Sequence, residues 1–161
     1  MDDEMLTPEA FLCSAKNFVD ISDQIHDGWK LYESTEIHNC YIQKKTFINN
    51  MEKLYNAEFI IFYHLSYGVP AFSFNVWDSS GTLLSLEDIR QMAIIEINKK
   101  EFYSVITQQE HPILNRPYFI MHPCQTQALL SNFSKSKNMI VTFLGLITPL
   151  INFNLPLEFG L

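Results

Sequence analysis

The amino-acid sequence predicts one α+β domain in which an antiparallel β-sheet is backed by helices. Three observations predict it: a helical pattern comes first, two hairpin patterns follow it, and further helical patterns come after the hairpins. A length of 161 residues is typical of one domain, so residues 1–161 are interpreted as a single unit. The hydrophobic fraction of 47% supplies enough side-chain volume for one packed core.

The first helix is predicted over residues 8–27. Thr7 is a suitable N-cap, and Pro8 fits the first helical position because that position needs no backbone N–H donor. Apolar side chains then recur at helical spacing until Gly28. One face of this helix is therefore expected to pack on the core.

Two antiparallel hairpins are predicted after this helix. The first joins residues 29–33 to residues 40–48, a segment rich in β-branched and aromatic residues and free of Gly and Pro. The second joins residues 58–67 to residues 72–77. The first of these strands is apolar at nearly every position, as in a strand covered on both faces. The second alternates apolar and polar side chains, which predicts a half-buried strand.

Helices and a long loop are predicted in the second half of the chain. Ser85 and Asp88 have capping-box spacing, so a second helix is predicted over residues 86–98. Two prolines and weak periodicity predict a long, stiffened loop over residues 107–117. The remaining predicted elements are a short apolar run, a short helix and a final helix, at residues 118–121, 126–133 and 137–147.

Composition excludes several classes of function. The formal net charge of −7 has the wrong sign for neutralising many phosphates, so no nucleic-acid partner is expected. The acidic N-terminus does not resemble a secretory or mitochondrial leader, and the most apolar segment, residues 139–151, is too short to span a membrane. Three cysteines without paired Cys/His spacing predict reduced thiols in the cytoplasm. No metal or other cofactor is expected.

Cys124 is the candidate nucleophile. It follows a proline, lies two residues after His122 and precedes a predicted helix, whose unpaired N–H groups would favour a thiolate. An ordinary buried cysteine is the competing interpretation, and every enzymatic interpretation needs an accessible sulfur. His122 either positions a substrate, polarises a carbonyl or only bonds to its own loop. Cys13 and Cys40 are interpreted as structural, because neither has a neighbouring cation or a constrained loop.

Several segments resemble a known family. Residues 107–114 read TQQEHPIL, residues 117–119 read PYF, and residues 122–126 read HPCQT. This wording is similar to the autophagy conjugating-enzyme family, and within it to the autophagy-related ten branch. Residues 66–70, which read SYGVP, match as well, and the likeness runs with gaps from about residue 11 to residue 157.

The resemblance implies a ubiquitin-conjugating-like fold with four or so strands and a reaction in two steps. Cys124 would accept the modifier autophagy-related twelve as a thioester from the activating enzyme autophagy-related seven. The modifier would then pass to a lysine of the acceptor, autophagy-related five. The candidates for assisting the amine or the oxyanion are His122 and Tyr67, the tyrosine because it lies in the matching SYGVP segment. A core aromatic is the alternative for Tyr67.

Two other functions remain open from the sequence. One is a cysteine hydrolase acting on ubiquitin-like conjugates, with a distant base such as His64 or His111, although His111 beside its proline is otherwise interpreted as a loop lock. The other is a noncatalytic binding module of the same fold. The hairpin of residues 29–48 is the candidate edge for binding the acceptor, with Lys44 and Lys45 available to an acidic partner.

Overall fold

The computed structural model describes residues 6–92, 105–123 and 138–147 of the chain. A short 3-10 turn, Ile37–Asn39, lies in the first hairpin connection. The helices and strands of the described residues follow one another in the order α1 (Pro8–Ile25), β1 (Trp29–Tyr32), β2 (Tyr41–Asn50), β3 (Lys53–His64), β4 (Val69–Trp77), α2 (Leu86–Gln91), β5 (Ile106–Glu110), β6 (Pro117–Met121) and α3 (Met139–Ile147).

The strands form one antiparallel sheet in the order β1-β2-β3-β4-β6-β5. Trp29 pairs with Lys44 in the first predicted hairpin, and Phe59 pairs with Phe74 in the second, so both hairpins are confirmed. β4 pairs with β6 rather than with β5, which leaves β5 as an edge strand. The sheet has six strands among the described residues where about four were expected, and the α+β prediction is confirmed.

A tight turn joins β2 directly to β3. β2 continues to Asn50 and β3 begins at Lys53, so the third strand starts five residues before the predicted position. The two turn residues, Met51 and Glu52, have φ values of 50° and 66°. A two-residue turn with both φ values positive matches the right-handed twist of the flanking strands. The two hairpins are therefore parts of one continuous ribbon of strands.

α1 begins as the sequence predicts and ends slightly earlier. The Thr7 hydroxyl accepts a hydrogen bond from the Ala10 N–H at 3.1 Å, which satisfies one of the free donors of the first turn. His26 ends the helix in the left-handed conformation, with a φ of 57°. The core-facing side chains of α1 are Phe11, Ala15 and Phe18.

β4 is buried on both faces, so the prediction of a half-buried strand is wrong. Its polar residues Ser73 and Asn75 are 0% and 4% exposed. Ser73 Oγ lies 3.1 Å from His111 Nε2, and the Asn75 amide donates to the Pro117 carbonyl at 3.1 Å. Polar side chains are tolerated in an interior when they are hydrogen-bonded. The alternation therefore distinguishes an apolar inner face from an outer face that the β5–β6 connection covers.

The long loop predicted over residues 107–117 is largely a hairpin, so that prediction is wrong for its first part. β5 occupies Ile106–Glu110 and pairs with β6, which leaves only residues 111–116 as the connection. Four of the five β5 residues are exposed. An edge strand of this kind lacks the apolar alternation that identifies strands in a sequence. The apolar run predicted at residues 118–121 is confirmed as β6.

The second predicted helix begins where the sequence predicts and ends earlier, because Met92 is its C-cap. Ser85 and Asp88 form the capping box of α2, and α2 ends at Gln91. The prediction that α2 continues is therefore wrong at Met92, while residues 93–98 and the predicted helix at residues 126–133 lie outside the described residues. No helix in the described ranges is both long and apolar enough to cross a bilayer.

α3 packs its predicted stripe into the core. Asn138 precedes the helix, and its side-chain oxygen accepts hydrogen bonds from the N–H groups of Ile140 and Val141 at 2.9 and 3.2 Å. Its side-chain amide also donates to the Ser14 carbonyl at 2.9 Å, which ties α3 to α1. The buried side chains of α3 are those that the sequence predicts, namely Ile140, Phe143, Leu144 and Ile147.

Candidate active site

The segment that leads to the candidate nucleophile continues directly from β6. The strand ends at Met121, and the N–H of His122 donates to the Val105 carbonyl at 2.6 Å. His122 is half-buried and Pro123 is buried. Cys124 is the next residue and lies outside the described residues, so its predicted accessibility and its role as nucleophile stay predictions.

Tyr67 lies in the connection between β3 and β4, at the same end of the sheet. Gly68 has a φ of 63°, and its N–H donates to the His64 carbonyl at 2.8 Å to close the turn. The Gly68 carbonyl accepts a hydrogen bond from the Leu6 N–H at 3.0 Å, and the Tyr63 hydroxyl donates to the Leu6 carbonyl at 2.6 Å. This network fixes the turn against the segment before α1, and the half-buried Tyr67 ring packs beside the main core.

The two predicted assisting residues contact each other. The rings of Tyr67 and His122 meet edge to face, with centroids 6.2 Å apart and an interplanar angle of 75°. His64 also belongs to this group, because its ring meets the Tyr67 ring with centroids 5.2 Å apart and an interplanar angle of 66°. The structure thus assembles three aromatic side chains, which we name the His64–Tyr67–His122 cluster, immediately before Cys124. The sequence suggested His64 only as a possible hydrolase base.

His64 is held as a neutral imidazole. Burial lowers its pKa below the ordinary value of 6.5, and the neighbouring His122 lowers it further. Within the described part of the chain, its buried Nδ1 atom has no hydrogen-bond partner. A protonated His64 would carry a poorly solvated charge at this position. His64 therefore offers the cluster an uncharged ring at neutral pH.

His111 locks the β5–β6 connection and does not act as a base. Its side chain is 0% exposed, and its Nδ1 atom accepts hydrogen bonds from the N–H groups of Ile113 and Leu114 at 3.1 and 3.3 Å. Nε2 therefore carries the proton and donates to Ser73 Oγ. Burial, reinforced by the positive charge of Arg116, lowers the pKa of His111 to about 4. The loop-lock interpretation is confirmed, and His111 is excluded as the base that a cysteine hydrolase would need.

A buried polar group that the sequence did not reveal supports the same connection. The Tyr118 hydroxyl donates a short hydrogen bond to Glu58 Oε1, and Arg116 Nη2 donates to the Tyr118 oxygen at 3.1 Å. Burial raises the pKa of Tyr118, and the hydrogen bond to Glu58 raises it further. Glu58 lies in β3, far from Tyr118 in sequence, so no local pattern could have predicted the contact. This group holds residues 111–116 against the outer face of the sheet.

The remaining candidates have separate roles. Cys40 is buried and its sulfur accepts a hydrogen bond from the Ser34 N–H at 3.4 Å, but Cys13 is exposed on α1, so a structural role is wrong for Cys13. Lys44 forms an ion pair with Asp27 at 3.0 Å and lies on the second strand rather than on the edge, so the prediction that it faces a partner is wrong. Lys45 is exposed.

The donor atoms of the described residues offer no ready metal site. Among residues 6–92, 105–123 and 138–147, no group of three or more His, Cys, Asp or Glu side chains is placed to hold a metal ion. The groups that the described cluster offers for chemistry are one phenol and two imidazoles.

Comparison with known proteins connects this geometry to a family. Residues 10–158 match the family described as autophagocytosis associated protein, active-site domain. The chain is 27% identical over 208 residues to the ubiquitin-like-conjugating enzyme ATG10 of Homo sapiens, covering 99% of this chain and 94% of the human protein. It is 32% identical over 114 residues to the enzyme of the same name from Arabidopsis thaliana, covering 63% of this chain and 51% of that protein.

A solved structure has the same fold. The solution structures of KmAtg10 align with a TM-score of 0.55 at 14% sequence identity, over 94% of this chain and 98% of that chain. The predicted ubiquitin-conjugating-like fold is therefore confirmed, and so is the resemblance on which it depended. Because the family match spans nearly the whole sequence, the chain belongs to the autophagocytosis-associated active-site domain family, which includes the ATG10 conjugating enzymes.

Proposed function

We propose that this conjugating transferase carries a ubiquitin-like modifier as a thioester on Cys124. The modifier is autophagy-related twelve, delivered by the activating enzyme autophagy-related seven, and the acceptor is a lysine of autophagy-related five. The observation that carries the proposal is the contact between Tyr67 and His122 at the residues directly before Cys124. A reducing, cytoplasmic compartment suits this chemistry, because the nucleophile must stay a free thiol.

The first step is a thioester exchange. The Cys124 thiolate attacks the thioester carbonyl that joins the modifier's C-terminus to the activating enzyme. A new carbon–sulfur bond forms, the old one breaks, and the thiolate of the activating enzyme leaves. Because one thioester replaces another, the exchange is nearly isoenergetic and this chain needs no nucleotide for it.

The second step is aminolysis of the new thioester. A neutral lysine amine of the acceptor attacks the carbonyl, an oxyanion forms, and its collapse expels the Cys124 thiolate while the amine loses a proton. Proximity and stabilisation of the oxyanion supply the acceleration in such a reaction. Tyr67 can donate a hydrogen bond to the oxyanion, and His122 can accept the proton, which the contact between their rings supports.

A gel assay tests the proposal. The chain is incubated with activating enzyme, ATP and modifier, then separated with and without thiol reductant. We expect wild type to form a reductant-sensitive adduct and Cys124→Ser to form a reductant-resistant oxyester. The exposed Cys13 supplies the matched control, because Cys13→Ser should form the same reductant-sensitive adduct as wild type.

The same assay, run beside a second reaction that contains a preformed conjugate, distinguishes the competing functions. A hydrolase would release free modifier from a preformed conjugate without accumulating an adduct, and a binding module would form no covalent species. An adduct that persists unchanged in Cys124→Ser but disappears in Cys13→Ser would contradict the proposal.

A further inference from the structure

His64 contributes both its ring and its backbone to the turn that carries Tyr67. Its ring meets the Tyr67 ring edge to face at 5.2 Å, and it also contacts Phe62 at 6.3 Å. Its carbonyl accepts the Gly68 hydrogen bond that closes the turn. The ring of Tyr67 therefore contacts the rings of both His64 and His122.

The contact of His64 with Tyr67 needs no charge on the imidazole. Burial favours the neutral imidazole, and Nδ1 has no hydrogen-bond partner among the described residues. Edge-to-face aromatic pairs at this separation contribute through the quadrupoles of the rings and through packing. Such a contact fixes the orientation of a ring without requiring a proton, so a phenyl ring can reproduce it.

We propose that His64 is a positioning residue for the transfer step, because its ring holds Tyr67 against His122 beside the segment that leads to Cys124. The inference rests on the proposed function and deepens it. His64 does not touch the reacting atoms in this account. It acts through Tyr67, whose hydroxyl must be placed where the oxyanion develops when the acceptor lysine attacks.

The two steps of the reaction should respond differently to the loss of this ring. Loading exchanges one thioester for another, and its tetrahedral intermediate also carries an oxyanion. Thiolate attack needs no proton acceptor, however, so loading does not require Tyr67 to be held against His122. Transfer depends on the placement of the assisting groups around a tetrahedral oxyanion, and small misplacements have large effects on such steps. A positioning role for His64 therefore predicts a selective loss of transfer.

The experiment separates loading from transfer. Full-length wild type, His64→Ala and His64→Phe are loaded with modifier, activating enzyme and ATP; loading is then stopped and acceptor is added in a single-turnover chase. We expect His64→Ala to transfer at least about tenfold more slowly than wild type while it loads within about twofold of the wild-type rate. His64→Phe should restore transfer to within about threefold of wild type.

Two further variants keep the test decisive. Leu65→Ala removes the neighbouring side chain, which is 59% exposed, and should leave both steps unchanged. His64→Leu fills the space without an aromatic ring, so it should transfer as slowly as His64→Ala and replaces that variant if alanine prevents folding. Melting temperatures of the loaded and unloaded variants report on folding independently of either step.

Defined results overturn the inference. Transfer by His64→Ala or His64→Leu at the wild-type rate would remove the role of the ring, and so would a His64→Phe variant as slow as His64→Leu. An equal loss of loading and transfer would indicate a structural role only. If wild type itself forms no thioester, the proposed function fails first, and that outcome is visible before any variant is compared.

Discussion

At the scale of single residues, His111 shows how a buried imidazole can serve as structure. Its proton lies on Nε2 toward Ser73, and its Nδ1 lone pair receives two backbone N–H groups of the connection. The sequence predicted a lock from the adjacent proline, and the bonding pattern confirms it. The partner Ser73 could not be predicted, because it lies on β4 at a separation that only the sheet brings together.

The protein should become less stable as the pH is lowered, because of His111. Its pKa is about 4 in the folded protein and 6.5 in the unfolded chain, so only the unfolded chain binds this proton between those values. The free energy of unfolding should therefore decrease as the pH falls from 6.5 to 4, by about 2–3 kcal/mol from this group. Urea unfolding across this range measures the decrease.

A nontitrating variant isolates this contribution. His111→Asn keeps a side-chain oxygen that can accept from the backbone two residues later, as in an Asx turn, but it cannot bind the proton. Its stability deficit relative to wild type should shrink as the pH falls to 4. Parallel profiles for wild type and His111→Asn would contradict the assignment.

At the scale of elements, strands with a covered face were predictable, whereas the exposed edge strand β5 and the β2–β3 turn were not. β3 has apolar residues on both faces, and this pattern predicts a central strand. β5 is exposed at four of its five positions and has no such pattern. The β2–β3 turn was missed for a different reason. Its residues, Met51 and Glu52, have none of the glycine or asparagine that usually identifies a two-residue turn.

Replacing this turn should stabilise the protein. Each residue with a side chain in the left-handed region lowers the free energy of unfolding by about 1–2 kcal/mol. A glycine relieves this strain, but it offsets about 0.5–1 kcal/mol of the gain because it makes the unfolded chain more flexible. The free energy of unfolding of the double variant Met51→Asn/Glu52→Gly should therefore be about 1 kcal/mol higher than that of wild type. Met51 is 91% exposed, so its removal costs little burial. Urea titration measures the difference.

The control keeps a Cβ atom at the same position. Glu52→Ala removes the charged side chain but retains the strain of a positive φ, so it should give no comparable gain. Equal stabilisation by Glu52→Ala would show that charge, rather than backbone conformation, limits the turn.

At the scale of the whole molecule, local pairing was predictable and sheet order was not. Hairpins join neighbouring segments, so composition and turn residues indicate them. The pairing of β4 with β6, which places the residues before Cys124 beside Tyr67, depends on contacts between distant parts of the chain. For that reason the sequence indicated His122 from its place before Cys124 and Tyr67 from a family resemblance, but it could not place His64 beside them.

The described elements should unfold as one cooperative unit. One continuous buried cluster takes side chains from all of them, including Trp29 of β1, Ile89 of α2, Ile106 of β5 and Phe143 of α3. When one core joins the whole sheet to its helices, no part can open without exposing the rest. Such cooperative unfolding is what we expect if residues 1–161 form a single domain, as we propose.

Two tryptophans at different places in the sheet test this cooperativity. Trp29 is buried in β1 against Phe18, and Trp77 ends β4. Trp77→Phe leaves Trp29 as the fluorescent reporter, and Trp29→Phe leaves Trp77. In each variant, we expect the urea transition from fluorescence to coincide in midpoint and slope with that from far-ultraviolet circular dichroism. Separate transitions in either variant would mean that the sheet has two independently stable parts, and the single-domain proposal would then be wrong.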